Sequence, residues 1–162
     1  HPEYRRQRQM CIRDSYEAFK KSKSLMDLYG KKVEYMGDTG SGQQTKIINQ
    51  ICIGGLIQSL SEAIYFMKQT NLDPSKVLDV ISSGAAQSWQ MENRFKTMTE
   101  NKFDFGFAVD LMRKDLSIVF KEAEKYGIDL EITKIIDTFY KDLQEQGYNS
   151  LDTSSLIKRL IK

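Results

Sequence analysis

Lys46 and Asn49 stand one helical turn apart, directly behind the Gly-rich turn Gly40-Ser41-Gly42, in the run Gly40-Ser41-Gly42-Gln43-Gln44-Thr45-Lys46-Ile47-Ile48-Asn49-Gln50. At that spacing the two side chains share a helix face. A lysine amine that has shed its proton takes one from a hydroxyl, and a carboxamide donates and accepts hydrogen bonds beside it. On pattern alone the plainer account of Lys46 is a solvated lysine near the positive end of a helix dipole, where it is slightly unfavourable. Asn49 alone is equally well an ordinary polar helix residue. Gly40 and Gly42 either admit a close backbone approach or simply turn the chain.

Two further runs stand downstream, Gly84-Ala85-Ala86-Gln87-Ser88-Trp89 and Phe105-Gly106-Phe107-Ala108-Val109-Asp110-Leu111-Met112-Arg113-Lys114-Asp115-Leu116. The run around Lys46 resembles the catalytic-helix signature of the β-hydroxyacid dehydrogenases, the family of 3-hydroxyisobutyrate dehydrogenase and, more distantly, 6-phosphogluconate dehydrogenase. The run ending in Lys114-Asp115-Leu116 is similar to that family's cofactor-contacting helix, at the separation from Lys46 that the family leads one to expect. The Gly84 block between them is family-typical as well. The resemblance covers about residues 16–156, and three motifs in order are more specific than any one.

The resemblance implies roles residue by residue. Lys46 would be the general acid/base, taking the hydroxyl proton as hydride leaves for a nicotinamide and returning it in the reverse direction. Lysine ordinarily keeps its proton at neutral pH, so burial and the helix N-terminus would have to favour the neutral amine. Asn49, Gln50 and Gly42 would meet the substrate. Phe107 and Lys114 would contact the cofactor, NAD or NADP. Asp115 would orient Lys114 or a neighbouring active-site group, or pair with a surface lysine, and Trp89 would pack. The implied partner is a small 3-hydroxy acid or semialdehyde, with several such acids equally compatible. A cytoplasmic homodimer or homotetramer is expected, with Ile53, Leu56 and Leu60 as contact candidates on hydrophobicity alone. The competing reading, from another class, is a helical dimerisation or scaffold module without activity.

Composition narrows the field independently. The chain has 162 residues, 40% of them hydrophobic, with no apolar run approaching a membrane span. Arg5, Arg6, Arg8 and Arg13 against Glu3 and Asp14 account for the whole net charge of +2, leaving a neutral body unsuited to nucleic acid. The sole histidine is His1, so neither a Ser-His-Asp triad nor a His-rich metal site can be built inside the domain. Cys11 and Cys52 lack CxxC spacing, and Cys52 reads as a buried helix thiol. Residues 1–15 match neither a signal peptide nor the family. They read as foreign text of the kind a translated sequencing adapter leaves, or as a disordered basic arm.

The elements that must hold these residues are helical. Residues 17–29 read as a helix stopped at Gly30, and 31–36 as a short strand, together the tail (16–37) of a Rossmann domain whose Gly-x-Gly-x-x-Gly fingerprint is absent. The chain therefore looks like a C-terminal fragment, with residues 38–162 as the helical catalytic and dimerisation domain. A helix over 43–70 would run on the order of 40 Å, with Gly54-Gly55 allowing close approach of another helix. Asp73-Pro74 is an N-cap and first-turn signal. Further helices are expected over 86–98, 109–126 closed by Gly127, 132–146 closed by Gly147, and 154–161. The fold class is all-α, a bundle resembling the C-terminal domain of 6-phosphogluconate dehydrogenase, with a residual helix and strand.

Overall fold

The structure, a computed structural model, describes residues 16–30 and 32–161. The segment 1–15, with its reading as foreign text or basic arm, lies outside them. Two compact units divide the chain, one reaching to Asn49 and the other beginning at Gln50. The division falls inside the longest helix.

In the first unit, helix α1 (Tyr16–Met26) places Phe19 and Met26 seven residues apart on one face. These two bury with Val33, and Tyr35 packs on the cluster. The Tyr35 ring meets Tyr16 edge-on at 5.5 Å and Phe19 at 5.8 Å, the offset geometry that aromatic quadrupoles favour. The expected strand at 31–36 is corrected: residues 32–36 belong to no strand. Its alternation is real, since Val33 is buried while Lys32, Glu34 and Met36 are exposed. A strand exists through its ladder, however, and Val33 and Tyr35 find a helix face instead of a sheet.

The long helix is α2 (Ser41–Gln69), 29 residues, or about 43 Å. By length and composition it is apolar enough to cross a membrane, which corrects the expectation of no such run. A soluble core helix passes the same test, and Leu60, Ile64 and Met67 of α2 do lie in a core. They pack with Met91, Phe95 and Met98 of α4 (Trp89–Thr99), with Phe103 and Ile157, and with Val77, Leu78 and Ile81 of α3 (Pro74–Ser82) around them. Each fully buried side chain of this kind contributes about 1.5–3 kcal/mol. Leu60 is thereby removed from the interface candidates, whereas Leu56 is exposed. Cys52 is also exposed, not the buried thiol expected of it.

Local signals set the helix ends. Asp73 accepts the Lys76 N–H at 2.9 Å with Pro74 in the first turn of α3, as its sequence predicts. Ser88 does the same for Met91 at 3.1 Å, so α4 begins at Trp89 and not near Ala86. Helices α5 (Val109–Lys125) and α6 (Glu131–Glu145) pack on each other, with Met112, Leu116, Ile136, Tyr140 and Leu143 among their buried residues. A Cβ on Gly54 of α2 would stand 3.4 Å from Ile136 of α6, an ordinary contact, and Gly55 faces open space, so neither glycine is required by a close approach of α6. The chain closes on a 3-10 helix (Thr153–Arg159) in place of the α-helix expected over 154–161. Among the described residues the body is all-helical apart from one isolated antiparallel bridge, Ala108 with Asp152.

Candidate active site

Gly40, at φ +104, turns the chain into α2 through a conformation that costs any side chain with a Cβ. The first turn closes with the Gln44 N–H donating to the Gly40 carbonyl at 3.0 Å, and Thr45 Oγ1 donating to the Ser41 carbonyl at 2.8 Å. Gly42, Lys46, and then Asn49 and Gln50 follow at four- and three-residue steps along this helix, a spacing that aligns them on one strip. Their exposure is graded: Gly42 is buried, Lys46 half-buried, Asn49 exposed and Gln50 buried. Gly42, Lys46 and Asn49 belong to the first unit. Gln50, Phe107, Lys114 and Asp115 belong to the second.

Within the second unit the structure brings Gln50 and Asp115 together. The Gln50 amide nitrogen donates to Asp115 Oδ2 at 2.7 Å and lies 4.0 Å from the Met112 sulfur. Both side chains are buried, so each stabilises the other where an unpaired polar group would cost most. Asp115 is thus a buried carboxylate and not a surface one. Lys114, one residue earlier on α5, is exposed.

Phe107 is half-buried and its backbone is fully engaged. Its N–H donates to Asp152 Oδ2 at 2.9 Å, and its carbonyl accepts the Thr153 N–H at 2.8 Å. The start of α5, which has no side-chain cap, is satisfied by the same C-terminal segment: the Val109 N–H donates to the Leu151 carbonyl and the Asp110 N–H to the Asn149 carbonyl. Orphan helix N–H groups therefore find their acceptors some forty residues away in sequence.

Asp152 and Arg94 were not legible as site residues. Asp152 is 1% exposed, and its Oδ1 also accepts from Ser154 N at 3.0 Å and Ser154 Oγ at 2.5 Å. Arg94 Nε stands 3.2 Å from that oxygen and neutralises the buried carboxylate. The guanidinium lies 5.0 Å from the Trp89 ring and 4.9 Å from the Phe105 ring, within cation–π range. Trp89 is accordingly not core packing but 57% exposed, its ring occupied by Arg94. The sequence Asp152-Thr153-Ser154 signals a helix cap, which it is; nothing in it points to Phe107. Behind it, Tyr140 donates to the Thr153 carbonyl at 3.3 Å. Burial, and then the charge of Asp152, push the Tyr140 phenol upward, so it stays protonated.

Phe107 offers a half-buried aromatic ring on a fixed backbone, and Lys114 an exposed ammonium. Among the described residues no group of three or more His, Cys, Asp or Glu is placed to hold a metal ion.

The family model that matches, over residues 40–160, is described as NAD-binding of NADP-dependent 3-hydroxyisobutyrate dehydrogenase. The chain is 50% identical over 140 residues to an uncharacterized oxidoreductase of Shewanella frigidimarina (strain NCIMB 400), covering 86% of this chain and 48% of that protein. It is 30% identical over 142 residues to 2-hydroxy-3-oxopropionate reductase of Escherichia coli (strain K12), covering 88% and 49%. The crystal structure of 3-hydroxyisobutyrate dehydrogenase from Salmonella typhimurium superposes with a TM-score of 0.81 at 28% identity, over 90% of this chain and 51% of that one. The chain thus spans about half the length of the curated relatives it matches.

Proposed function

This chain belongs to the NADP-dependent 3-hydroxyisobutyrate dehydrogenase family, and we propose that it works as the C-terminal part of an NAD(P)-dependent oxidoreductase acting on a small 3-hydroxy acid or its semialdehyde. The observation that carries this reading is the unbroken entry of α2 from the Gly40 turn through Lys46, Asn49 and Gln50, with Gln50 tied to buried Asp115.

When bound, the nicotinamide supplies the hydride acceptor, or the donor in reverse. The neutral amine of Lys46 takes the proton of the substrate hydroxyl as the carbon–hydrogen electron pair departs, so the alcohol becomes a carbonyl with no charge left on oxygen. In reduction the ammonium returns that proton to the alkoxide oxygen. Asn49, exposed on this helix, hydrogen-bonds the substrate's carboxylate or hydroxyl. Gln50 is held in place by Asp115. Phe107 would shield the nicotinamide end of a bound cofactor, and Lys114 would reach toward the dinucleotide.

Steady-state kinetics of the full-length enzyme test the assignment. Lys46→Ala lowers kcat by roughly two to four orders of magnitude, the usual worth of a positioned acid/base group, with cofactor affinity little changed. Lys46→Arg restores little, because a guanidinium does not give up its proton. Near-normal turnover in Lys46→Ala would overturn the mechanism and favour the scaffold reading, which the exposed Ile48, Leu56 and Phe66 of α2 support.

A further inference from the structure

The carboxylate of Asp152 is the most heavily engaged buried polar group described in the second unit, yet it stands on the last short helix and no proposed step touches it. Its four contacts divide by oxygen. Oδ1 receives Arg94 Nε, which ties the C-terminal segment to α4, and Ser154 N and Ser154 Oγ, which cap that segment's own 3-10 helix. Oδ2 receives the Phe107 N–H. Thr153 N–H then holds the Phe107 carbonyl, so consecutive residues 152 and 153 take up both backbone polar groups of Phe107. With N–H and carbonyl both fixed, the direction of the Phe107 Cα–Cβ bond is fixed. The residue before it confirms how little room the arrangement leaves. Gly106 has φ +75, and a Cβ there would overlap Asp152 Oδ2 and come within 3.0 Å of Arg94 Nη2.

We propose that Asp152 is a positioning residue for the cofactor: through Oδ2 it aims the Phe107 ring at the nicotinamide end of the bound dinucleotide. The proposal rests on the reading of Phe107 as a cofactor contact given above. A ring on a free loop would lose rotational and backbone freedom on every binding event. A ring whose backbone is already held loses little, so the gain falls on cofactor affinity and not on proton transfer.

Asp152→Asn separates this role from simple stability. The amide is isosteric and its single oxygen still serves the Oδ1 partners, but the NH2 group then faces the Phe107 N–H, donor against donor. Ser154→Ala is the control, since it removes one bond to Oδ1 and leaves Oδ2 alone. In the full-length enzyme, Asp152→Asn should raise the Kd for NADPH, read by fluorescence titration, about tenfold, what one charge-assisted hydrogen bond is worth if fully transmitted. The KM for cofactor should rise in parallel, kcat at saturating cofactor should change less than about threefold, and the Phe107 amide should exchange with solvent faster. Ser154→Ala should leave the Kd and the Phe107 amide unmoved.

Thr153→Pro gives a second route if Asp152→Asn fails to fold. It deletes the N–H that holds the Phe107 carbonyl, together with the buried Thr153 hydroxyl, at the first position of the 3-10 helix, and Asp152 at φ −55 and ψ 147 already has the extended backbone that precedes proline. It should also raise the Kd. An unchanged Kd in both variants, alongside a raised Kd in Phe107→Ala, overturns the positioning role. A Phe107→Ala variant that binds NADPH normally overturns the cofactor role of the ring, and the proposal with it. That failure is distinguishable, because the Phe107 amide would still report the loss of its acceptor in Asp152→Asn.

Discussion

The first turns of α2 and the C-terminal residues 149–157 handle polar side chains in opposite ways. From Gly40 to Gln50 the groups with chemistry to offer are half-buried or exposed, Gln50 excepted. In the C-terminal segment Asp152, Thr153, Ser154 and Ser155 are all buried, against Gln50, Gln58 and Ser61 over the whole 29 residues of α2. The C-terminal segment, a short 3-10 helix with its Asp152 cap, thus buries four polar side chains against three in the longest α-helix, and it also serves the uncapped start of α5. The N–H groups of Val109 and Asp110 and both backbone groups of Phe107 draw on it. Lys46 and Asn49, proposed to meet the substrate, are thus the more exposed residues, and the residues that hold the frame are buried.

Removing the best-connected member of the buried set tests that contrast most severely. Asp152→Ala strands the Arg94 charge together with the N–H groups of Phe107 and Ser154, and should lower the free energy of unfolding by about 3–5 kcal/mol in urea titrations. A loss below 1 kcal/mol would mean that water replaces the carboxylate and that the segment is no support. Gln50→Leu, at the one buried polar position in the first turns of α2, should cost less, about 1–3 kcal/mol, for an Asp115 carboxylate that loses one donor. Ile48→Ser, on the exposed side of those turns at 62% exposure, should stay within about 0.5 kcal/mol. A larger loss whose size depends on protein concentration would reveal a covered face, and with it the homo-oligomer expected for the parent enzyme.

Asp137 refines the contrast with a carboxylate of intermediate burial. Burial raises it above the ordinary aspartate range, and the Arg113 guanidinium 2.7 Å away only partly offsets that. The folded state therefore keeps this proton longer than the unfolded chain as pH rises. The associated stability is full below the unfolded value and is lost as pH climbs through the raised folded one. Relative to Asp137→Asn, the wild-type chain should gain stability on acidification from neutrality to about pH 3. The opposite slope would mean that the ion pair outweighs burial.

Helices were legible where a local signal and a period coincided. Asp73-Pro74 announced α3, and Gly127 and Gly147 closed α5 and α6. The strand at 31–36 failed because alternation specifies faces, not the partner that makes a strand. Trp89 failed because size suggests burial, whereas Arg94 gave its ring an occupant at the surface. In the candidate site, Lys46, Asn49, Gln50, Phe107, Lys114 and Asp115 stood out by motif, and the Gln50–Asp115 bond links two of them across 65 residues. Asp152 and Arg94 did not, since each is an ordinary residue type whose partners are fixed only by the tertiary fold.

Distance along the chain is also order in time. The acceptor of the Phe107 N–H is made 45 residues after Phe107 itself, roughly two to nine seconds later at ordinary rates of synthesis. Until Asp152 leaves the ribosome, the Phe107 N–H lacks this acceptor, however complete α2, α3 and α4 already are. A chain broken off before residue 149 would carry Lys46, Phe107 and Lys114 intact and still lack the segment that sets Phe107 in place.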